Sequence, residues 1–335
     1  MIRSIALVKL SSLGDVVHAL PVAATLHARL PDARLTWIVE SREAAVLQGH
    51  PAIDALVPID TRRWRRARGI GDVAAVARAM ARVRRELRMT SFDVALDLQG
   101  LIKSGLITAA TRAPLRIGFS AARCRERLGA LFTNRRVDPP ASARHVVDQY
   151  LALLGPLGLT EPARDFRLPV DDAAEARADE FLAARGLKAG ARLVVLNAGA
   201  GRPDKRWPEA RFRILAERLG EDAGADVLVV WGPGEEVAAR RIAPGAPTRA
   251  IMGPPTNLYE LIAFLRRASV LVAGDTGPLH LAAALGTPCV GLYGPTSALR
   301  NGPYGAGHRC LQAPGGHVTA IEVEAVFHAV QELLA

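Results

Sequence analysis

A carboxylate, a hydroxyl and an imidazole stand close together in one glycine-flanked turn, at Asp275, Thr276 and His280. The apolar run 270–273 precedes the turn, and a helical pattern over 278–285 follows it. The first amide N–H groups of a helix have no partner inside the helix and carry partial positive charge, so this N-terminus suits a phosphate or diphosphate. A capped turn without a ligand, with Asp275 or Thr276 as the cap, is the alternative that these residues leave open.

A second carboxylate, Asp15, stands at the start of the helix predicted over 16–30, directly after the first buried strand, 5–10. Gly14 permits a tight turn between that strand and the helix. A carboxylate is favoured at a helix start, so on these residues alone Asp15 can be a helix cap and nothing more.

A lysine is the third group that could act on a diphosphate, because no DxD motif indicates a metal-bridged one. Lys205 lies in the loop 202–208, which follows the strand predicted at 193–197. The carboxyl ends of parallel strands share one edge of a sheet, so we expect Lys205 to face the Asp275 turn and to neutralise a diphosphate with the helix N-terminus. A solvated surface lysine is the alternative.

Motifs of several other enzyme classes are missing from the sequence. The first strand-to-helix turn reads SSLGD without GxGxxG, which disfavours a dinucleotide-binding dehydrogenase. No GxxxxGK followed by Ser or Thr occurs, which excludes a P-loop nucleotidase, and neither GxSxG nor HExxH is found. The three cysteines have no CxxC spacing, a pattern that suits a reducing compartment and predicts no zinc site.

Strands alternate with helices along the whole chain, which predicts an α/β protein with two doubly wound, mostly parallel sheets. The polar stretch 156–170 is the predicted linker between an N-terminal domain over 1–160 and a C-terminal domain over 171–318, which a helix over 319–335 follows. We expect a helix over 41–48 and an irregular basic connection over 120–143. The predicted strands are 5–10, 34–40, 54–59, 92–98, 116–119, 193–197, 226–231, 248–252, 270–273 and 289–293.

The composition favours a globular protein with anionic partners. Half of the 335 residues are apolar, and the formal net charge is +10. That charge points to nucleic acid, anionic lipid or a phosphorylated substrate. Apart from Trp64, the arginines lack the interleaved aromatic residues of a single-strand binder, so we expect no nucleic-acid partner. Neither a signal peptide nor an apolar run long enough for a membrane span is found, which predicts a cytoplasmic protein.

Four segments carry a resemblance to a known family: KLSSLGDVVHALP at 9–21, DKRWP at 204–208, WGPGEE at 231–236 and GDTGPLHLAAALGTPCVGLYGPT at 274–296. Together they resemble the bacterial ADP-heptose:lipopolysaccharide heptosyltransferases, over essentially the whole chain. The resemblance implies the GT-B fold, two facing Rossmann-like domains with a central cleft. It also implies that the first domain binds the acceptor and the second the nucleotide sugar.

The first half is most similar to heptosyltransferase I, which adds the first heptose to Kdo on lipid A. The similarity lies in the basic segment 62–66 and in the segments 97–104 and 125–135. It implies inverting, metal-independent transfer from ADP-heptose to Kdo-lipid A, without a cofactor. Arginine forks suit the carboxylate of Kdo and the phosphates of lipid A. The acceptor-binding residues that the resemblance implies are Ser12, Gly14, Arg62, Arg63, Arg66, Gln99, Lys103 and Arg125.

By the same resemblance, Asp15 is the general base that takes the proton from the acceptor hydroxyl. Asp275 would hold heptose hydroxyls, and His280 would contact the phosphate or support the loop. Glu236, or alternatively Glu235, would accept from the ribose hydroxyls. The donor-binding residues implied in this way are Gly199, Ala200, Lys205, Glu236, Asp275, Thr276, Gly277 and His280.

The loop 197–201, Asn-Ala-Gly-Ala-Gly, departs from the paired threonines of type I enzymes. Backbone amides around Gly199 and Ala200 would have to replace the hydroxyls as a phosphate nest. This loop is more similar to that of heptosyltransferase II, so that enzyme or another ADP-sugar transferase of the family is the second reading. A non-catalytic anionic-ligand binding protein is the third. We expect a monomer in peripheral contact with the inner face of the cytoplasmic membrane.

Overall fold

The computed structural model describes residues 2–61, 70–187, 192–245 and 249–335. The chain divides into two compact units, Met1–Arg167 and Leu168–Ala335. Each unit is built on one six-stranded sheet whose strands pair in parallel throughout. The prediction of two doubly wound α/β sheets is confirmed.

In the first sheet the strand order is β3-β2-β1-β4-β5-β6. The order reverses between β1 and β4, so a ligand is expected beyond the carboxyl ends of these two strands. The strands are β1 (Ser4–Val8), β2 (Arg34–Glu40), β3 (Ala55–Ile59), β4 (Val94–Asp97), β5 (Leu115–Phe119) and β6 (Arg135–Val137). The helices of this unit within the described ranges are α1 (Leu13–Val17), α2 (Leu20–Arg29), α3 (Ile70–Met89), α4 (Ile102–Ala110) and α5 (Val146–Ala152).

In the second sheet the order is β12-β11-β10-β7-β8-β9, and the reversal falls between β10 and β7. The strands are β7 (Leu193–Asn197), β8 (Asp226–Val230), β9 (Ala250–Met252), β10 (Val270–Gly274), β11 (Cys289–Tyr293) and β12 (Arg309–Gln312). The helices that the structure describes here are α6 (Asp172–Ala184), α7 (Glu209–Glu221), α8 (Glu236–Ile242), α9 (Leu258–Arg267), α10 (Gly277–Ala284), α11 (Ala298–Asn301) and α12 (Val323–Leu334).

The central strands are buried on both faces, as is usual for parallel sheets covered by helices. This burial explains why their continuous apolar runs were recognisable in the sequence. Separate clusters of buried aliphatic and aromatic side chains fill the core of each unit. Each fully buried leucine or isoleucine contributes about 1.5–3 kcal/mol, which makes the carboxyl ends of these strands a rigid support for side chains in the following turns.

Several sequence predictions of local structure are wrong. The edge strands β6 and β12 were missed, since they are short and present exposed arginines rather than an apolar run. The helix predicted over 41–48 is a 3₁₀ segment at Ala44–Leu47, and the connection 120–143 contains a 3₁₀ segment at Arg127–Phe132 as well as β6. The C-terminal helix begins at Val323 instead of 319.

The helix predicted over 16–30 is two helices, α1 and α2. Pro21 has no N–H to donate to the carbonyl of Val17, so one continuous ladder cannot run through this point. Gly14 is not the tight-turn residue that was predicted. It is a buried residue inside α1, because this helix already begins at Leu13.

Candidate active site

The turn after β1 holds the carboxylate of Asp15 in a defined place. Both the backbone N–H and the hydroxyl of Ser12 donate to Asp15 Oδ2, each at 3.1 Å. Asp15 is therefore the third residue of α1, reaching back to the residue before the helix, and not the N-cap itself. Its side chain is 35% exposed, so the carboxylate supports the helix start and still reaches solvent.

A buried lysine and a tyrosine contact the other oxygen of this carboxylate. The Tyr150 hydroxyl donates to Asp15 Oδ1 at 3.3 Å, and Lys9 Nζ lies 3.7 Å from the same atom. Lys9 Nζ also donates to the Tyr150 hydroxyl at 2.6 Å and to the carbonyl of Leu98 at 3.3 Å. The Lys9 side chain is 3% exposed, so its charge needs a partner inside the protein, and Asp15 lies within ion-pair distance of it.

The residues that follow β4 hold the same turn in place. In the sheet, β4 is the neighbour of β1 at the point where the strand order reverses. Gln99 Oε1 accepts from the N–H groups of Leu10 and Ser11, at 3.0 and 3.2 Å. Burial raises the pKa of Asp97. The hydrogen bonds that its carboxylate accepts from the N–H groups of Gln99 and Gly100 lower the pKa but do not outweigh burial. Gln99, a predicted acceptor-binding residue, thus positions the strand that leads to Asp15.

A buried glutamate at the end of β2 holds the predicted acceptor-binding residue Lys103. Glu40 is 4% exposed and lies 3.5 Å from Lys103 Nζ, which also donates to the Thr61 hydroxyl at 3.0 Å. The Thr61 hydroxyl in turn donates to Glu40. Glu40 holds the ammonium group of Lys103 in place. Because the Lys103 side chain is 31% exposed, this group is still accessible to an anionic ligand.

The remaining predicted acceptor-binding residues are arginines. Arg125 is exposed, and its backbone nitrogen lies close to Gly100, whose φ of +65° favours glycine. The structure therefore brings Ser12, Gln99 and Asp15 together and leaves Arg125 on the surface. Arg62, Arg63 and Arg66 lie outside the described residues.

In the second unit, the turn after β10 forms a compact charged cluster at the start of α10. Lys205 Nζ donates to Asp275 Oδ2 at 2.6 Å, and His280 Nε2 lies 3.1 Å from Asp275 Oδ1. The side chains are 19%, 10% and 5% exposed, in the order Lys205, Asp275, His280. The expectation that Lys205 faces the Asp275 turn agrees with this geometry. His280, expected to contact the phosphate or to support the loop, contacts Asp275 in the same turn, which is consistent with support of the loop.

Two packing features bring the Lys205 loop to this turn. The Trp207 ring is buried against Phe212, with ring centroids 4.9 Å apart, and its Nε1 donates to the carbonyl of Ile321 at 2.8 Å. A Cβ at Gly274 would lie 2.9 Å from the carbonyl oxygen of Lys205. A larger residue at 274 would push the loop away, so the Lys205–Asp275 ion pair requires glycine at this position.

Thr276 occupies the N-cap position of α10 but does not cap the helix with its side chain. Its hydroxyl oxygen lies 3.2 Å from the carbonyl oxygen of Gly274 and 3.4 Å from Asn197 Oδ1, and its one proton can be donated to either acceptor. The capped-turn alternative is therefore not what the structure shows for Thr276. An N-terminus without a side-chain cap keeps the amides of Gly277 and Leu279 available to accept an anion.

The loop after β7 and the start of α8 line a cavity of about 390 Å³. Ala198, Gly199 and Glu235 are among its lining residues, and Ala200 is buried beside it. A side chain at Gly199 would overlap the Glu235 carboxylate, which also accepts from the N–H of Gly232 at 2.9 Å. Glu236 instead points to Arg240 at 2.8 Å and is half exposed, so of the two glutamates Glu235 is the one that faces the cavity.

Sequence reasoning missed Lys9, Tyr150 and Glu40 as parts of the site. Lys9 and Glu40 offered a usable signal, because Lys9 is a charged residue directly after a buried strand and Glu40 is one at the end of a mostly buried strand. Tyr150 offered none, since it comes from a helix 135 residues along the chain from Asp15. Within the described residues, no group of three or more His, Cys, Asp or Glu side chains could hold a metal ion.

The pKa of Asp275 gives a pH-dependent test of this cluster. Burial would raise that pKa, but the hydrogen bond and charge of His280, and then those of Lys205, outweigh it and hold the pKa well below its usual value. Stability from ionised Asp275 is therefore present above the unfolded-state pKa of about 4 and is lost as the pH falls below it. We expect the difference in unfolding free energy between wild type and Asp275→Asn to shrink by up to about 1.4 kcal/mol per pH unit as the pH falls below about 4, measured by urea denaturation. A difference that stays constant down to pH 3 would contradict the low pKa.

Comparison with known proteins identifies the family. Residues 80–328 match the family model for glycosyltransferase family 9 (heptosyltransferase). The chain is 32% identical over 327 residues to lipopolysaccharide heptosyltransferase 1 of Escherichia coli strain RS218, covering 97% of this chain and 96% of the relative. It is 34% identical over 305 residues to the protein of the same name from Pseudomonas aeruginosa strain PAO1, covering 89% and 81%.

A solved structure shows the same architecture. The E. coli heptosyltransferase WaaC with ADP-2-deoxy-2-fluoro heptose matches with a TM-score of 0.79 and 30% identity, covering 98% of this chain and 99% of that one. The prediction of a GT-B fold with Rossmann-like parallel-sheet domains is thereby confirmed, as is the family resemblance drawn from the four segments. The chain belongs to glycosyltransferase family 9, the heptosyltransferases, and is a glycosyltransferase.

Proposed function

We propose that the chain transfers heptose from ADP-heptose to Kdo of lipid A, with inversion at the anomeric carbon and without a cofactor. The observation that carries the proposal is the buried Lys205–Asp275–His280 cluster at the start of α10. The names of the relatives, lipopolysaccharide heptosyltransferase 1, support the reaction. The ADP-heptose analogue in the similar solved structure supports the donor.

The second unit is the proposed donor site. The N-terminal amides of α10, beginning at Gly277, and the Lys205 ammonium would carry the diphosphate, with Thr276 at the same turn. Each carboxylate oxygen has two lone pairs, so Asp275 can hold Lys205 and His280 and still accept from heptose hydroxyls. Glu235, facing the cavity, is the better-placed of the two glutamates for ribose hydroxyls. The proposed phosphate nest at Gly199 and Ala200 has a carboxylate beside it, which favours a ribose over a phosphate there.

Asp15 of the first unit is the proposed general base. Its carboxylate takes the proton of the acceptor hydroxyl while that oxygen bonds to the anomeric carbon and the bond to the diphosphate breaks. ADP leaves with its charge stabilised by Lys205 and the helix N-terminus. Lys103 and the arginines of the first unit are proposed to bind the carboxylate and phosphates of the acceptor.

Lys9 and Tyr150 are proposed to hold Asp15 in its ionised, base-competent form. Removing the cation 3.7 Å from Oδ1 in Lys9→Met should make protonation of Asp15 easier. We expect the acid limb of the pH profile of kcat/KM to move to higher pH. Tyr150→Phe keeps the ring and removes the hydroxyl, so it should move the limb in the same direction by less. An unchanged acid limb in Lys9→Met, with the fold intact by circular dichroism, would count against this arrangement.

The experiment that tests the proposed function offers the purified chain ADP-heptose with either Kdo-lipid A or an already heptosylated acceptor. We expect one heptose to be added to Kdo-lipid A with equimolar release of ADP, measured by mass spectrometry. Transfer to the heptosylated acceptor alone would favour the heptosyltransferase II reading, which the loop 197–201 suggested. Absence of transfer to both would refute the proposal.

Because lipid A is a membrane lipid and the chain carries a net charge of +10, we also propose that the enzyme works as a monomer in peripheral contact with the inner face of the cytoplasmic membrane. In the described part of the chain, no helix has the length and apolar character needed to cross a bilayer.

A further inference from the structure

Exposed large apolar side chains of the first unit are concentrated in one region. Within the described residues of that unit, all six exposed large apolar side chains lie on three helical elements: α3, α4 and the 3₁₀ segment Arg127–Phe132. Helix α4 packs against both of the other elements. Single exposed apolar residues are ordinary, whereas a cluster marks an interaction site. Met80 and Met89 are nine residues apart and therefore lie on opposite faces of α3, so they do not form one surface. The four residues on α4 and the 3₁₀ segment, hereafter the apolar patch, are Ile102, Leu106, Leu128 and Leu131.

Backbone geometry places the leucines of this patch side by side. Ile102 and Leu106 are four residues apart and share one face of α4. Leu128 and Leu131 are three apart in a 3₁₀ segment, where such residues eclipse each other, and they are 60% and 68% exposed. A Cβ at Gly129 would lie 3.0 Å from the carbonyl carbon of Leu101, so the 3₁₀ segment lies directly against the start of α4.

Arginines without a carboxylate partner among the described residues lie next to the patch in sequence and on the neighbouring helix α3. Exposed arginines follow one another on α3, and Arg125 and Arg127 directly precede the leucines of the 3₁₀ segment. In the described ranges, neither these two nor the arginines of α3 form an ion pair with a carboxylate. The arginines of α3 are Arg78, Arg82, Arg84, Arg85 and Arg88. Exposed apolar side chains with unpaired guanidinium groups on the same and the neighbouring elements complement a bilayer surface that carries anionic headgroups.

We infer that the apolar patch and its arginines bind the surface of an anionic phospholipid bilayer. The leucines would enter the boundary between headgroups and acyl chains, and the arginines would pair with lipid phosphates. This inference rests on the proposed function for one point only, that the acceptor is a lipid. Helix α4 begins where β4 ends, next to Gln99 and Lys103, so the bilayer would present an acceptor headgroup to the edge of the sheet that carries Asp15.

Vesicle binding of the full chain tests the inference. The probes are vesicles of 30% phosphatidylglycerol in phosphatidylcholine and vesicles of pure phosphatidylcholine, separated from free protein by sedimentation at about 0.1 M salt. We expect the double variant Leu128→Ser, Leu131→Ser to bind the anionic vesicles at least about tenfold more weakly. The variant Arg82→Gln, Arg85→Gln should lose about fivefold for each charge removed. Wild type should bind the uncharged vesicles far less than the anionic ones.

A matched control removes two similarly exposed aliphatic side chains from the second unit. Ile214 and Leu299 are 47% and 61% exposed, and the variant Ile214→Ser, Leu299→Ser should bind anionic vesicles within about twofold of wild type. Wild type that does not bind anionic vesicles, or binds both kinds equally, overturns the inference. Binding that is unchanged in the leucine variant, or reduced equally in the control, overturns it as well.

A transfer assay in detergent separates this inference from the proposed function. With Kdo-lipid A dispersed in detergent, the leucine variant should release ADP at the wild-type rate, because no bilayer has to be reached. If wild type binds anionic vesicles but transfers no heptose in detergent, the proposed function is refuted and the inference of a bilayer-binding surface is not. Wild type that transfers heptose but does not bind vesicles would refute the surface alone.

Discussion

Replacing Asp15 by asparagine should lower kcat for heptose transfer by about 10²–10⁴-fold, because the amide has the shape of the carboxylate but cannot take the acceptor proton. The dissociation constant for an ADP-sugar should stay within about twofold of wild type, since Asp15 belongs to the first unit and the proposed donor residues to the second. Steady-state kinetics and calorimetric titration measure the two quantities on the same preparation. Asp15→Ala should give the same result with a larger loss of stability.

The asparagine variant also separates catalysis from folding. Its remaining side-chain oxygen can still accept from the Ser12 N–H, so α1 should keep its first turn and thermal unfolding should change little. Asp32→Asn, an exposed position in the turn after α2, is the matched control and should leave kcat unchanged. Equal loss of transfer and of ADP-sugar binding in Asp15→Asn would remove Asp15 from the role of base.

Replacing Lys205 by methionine should lower kcat/KM for the donor by about 10²–10³-fold, because the charge on the departing diphosphate loses its cation. ADP affinity should fall as well, since a charge-assisted hydrogen bond contributes about 1.5–3 kcal/mol. Lys103→Met, which removes a lysine from the first unit, is the control and should leave ADP affinity unchanged.

The loss in Lys205→Met has to be distinguished from simple destabilisation. The single variant leaves Asp275 buried without its lysine, which costs stability. Adding Asp275→Asn removes the second charge, so the double variant should regain part of that stability in urea denaturation without regaining ADP affinity. Full recovery of ADP affinity in the double variant would show that Lys205 acts only by supporting the fold, and wild-type affinity in the single variant would exclude it from the donor site.

Prediction from sequence succeeded where a feature depends on neighbouring residues. The apolar runs of the central strands, and the polar residues of the turns that follow them, could be recognised in the sequence, since a buried parallel strand is apolar throughout. The rule that ligands bind at the carboxyl ends of strands was enough to expect Lys205 and Asp275 on one edge, although 70 residues separate them.

Prediction failed where a feature depends on tertiary packing. Strands β6 and β12 pair at sheet edges with arginines and no apolar run, so only their neighbours make them strands. The Tyr150 hydroxyl contacts Asp15 because α5 packs back against the first sheet, and no local sequence pattern predicts this hydrogen bond. Adjacent glutamates cannot be told apart by motif either, since helical geometry turned Glu236 to Arg240 and Glu235 to the cavity.

A crystal structure of this chain with ADP bound would test the proposed mechanism most directly. We expect the diphosphate to contact Lys205 Nζ and the amides at the start of α10, with the ribose near Glu235. The carboxylate of Asp15 should make no contact with the nucleotide. A diphosphate bound instead at the turn that follows β1, or one that leaves the Lys205–Asp275 pair untouched, would contradict the assignment of donor and base.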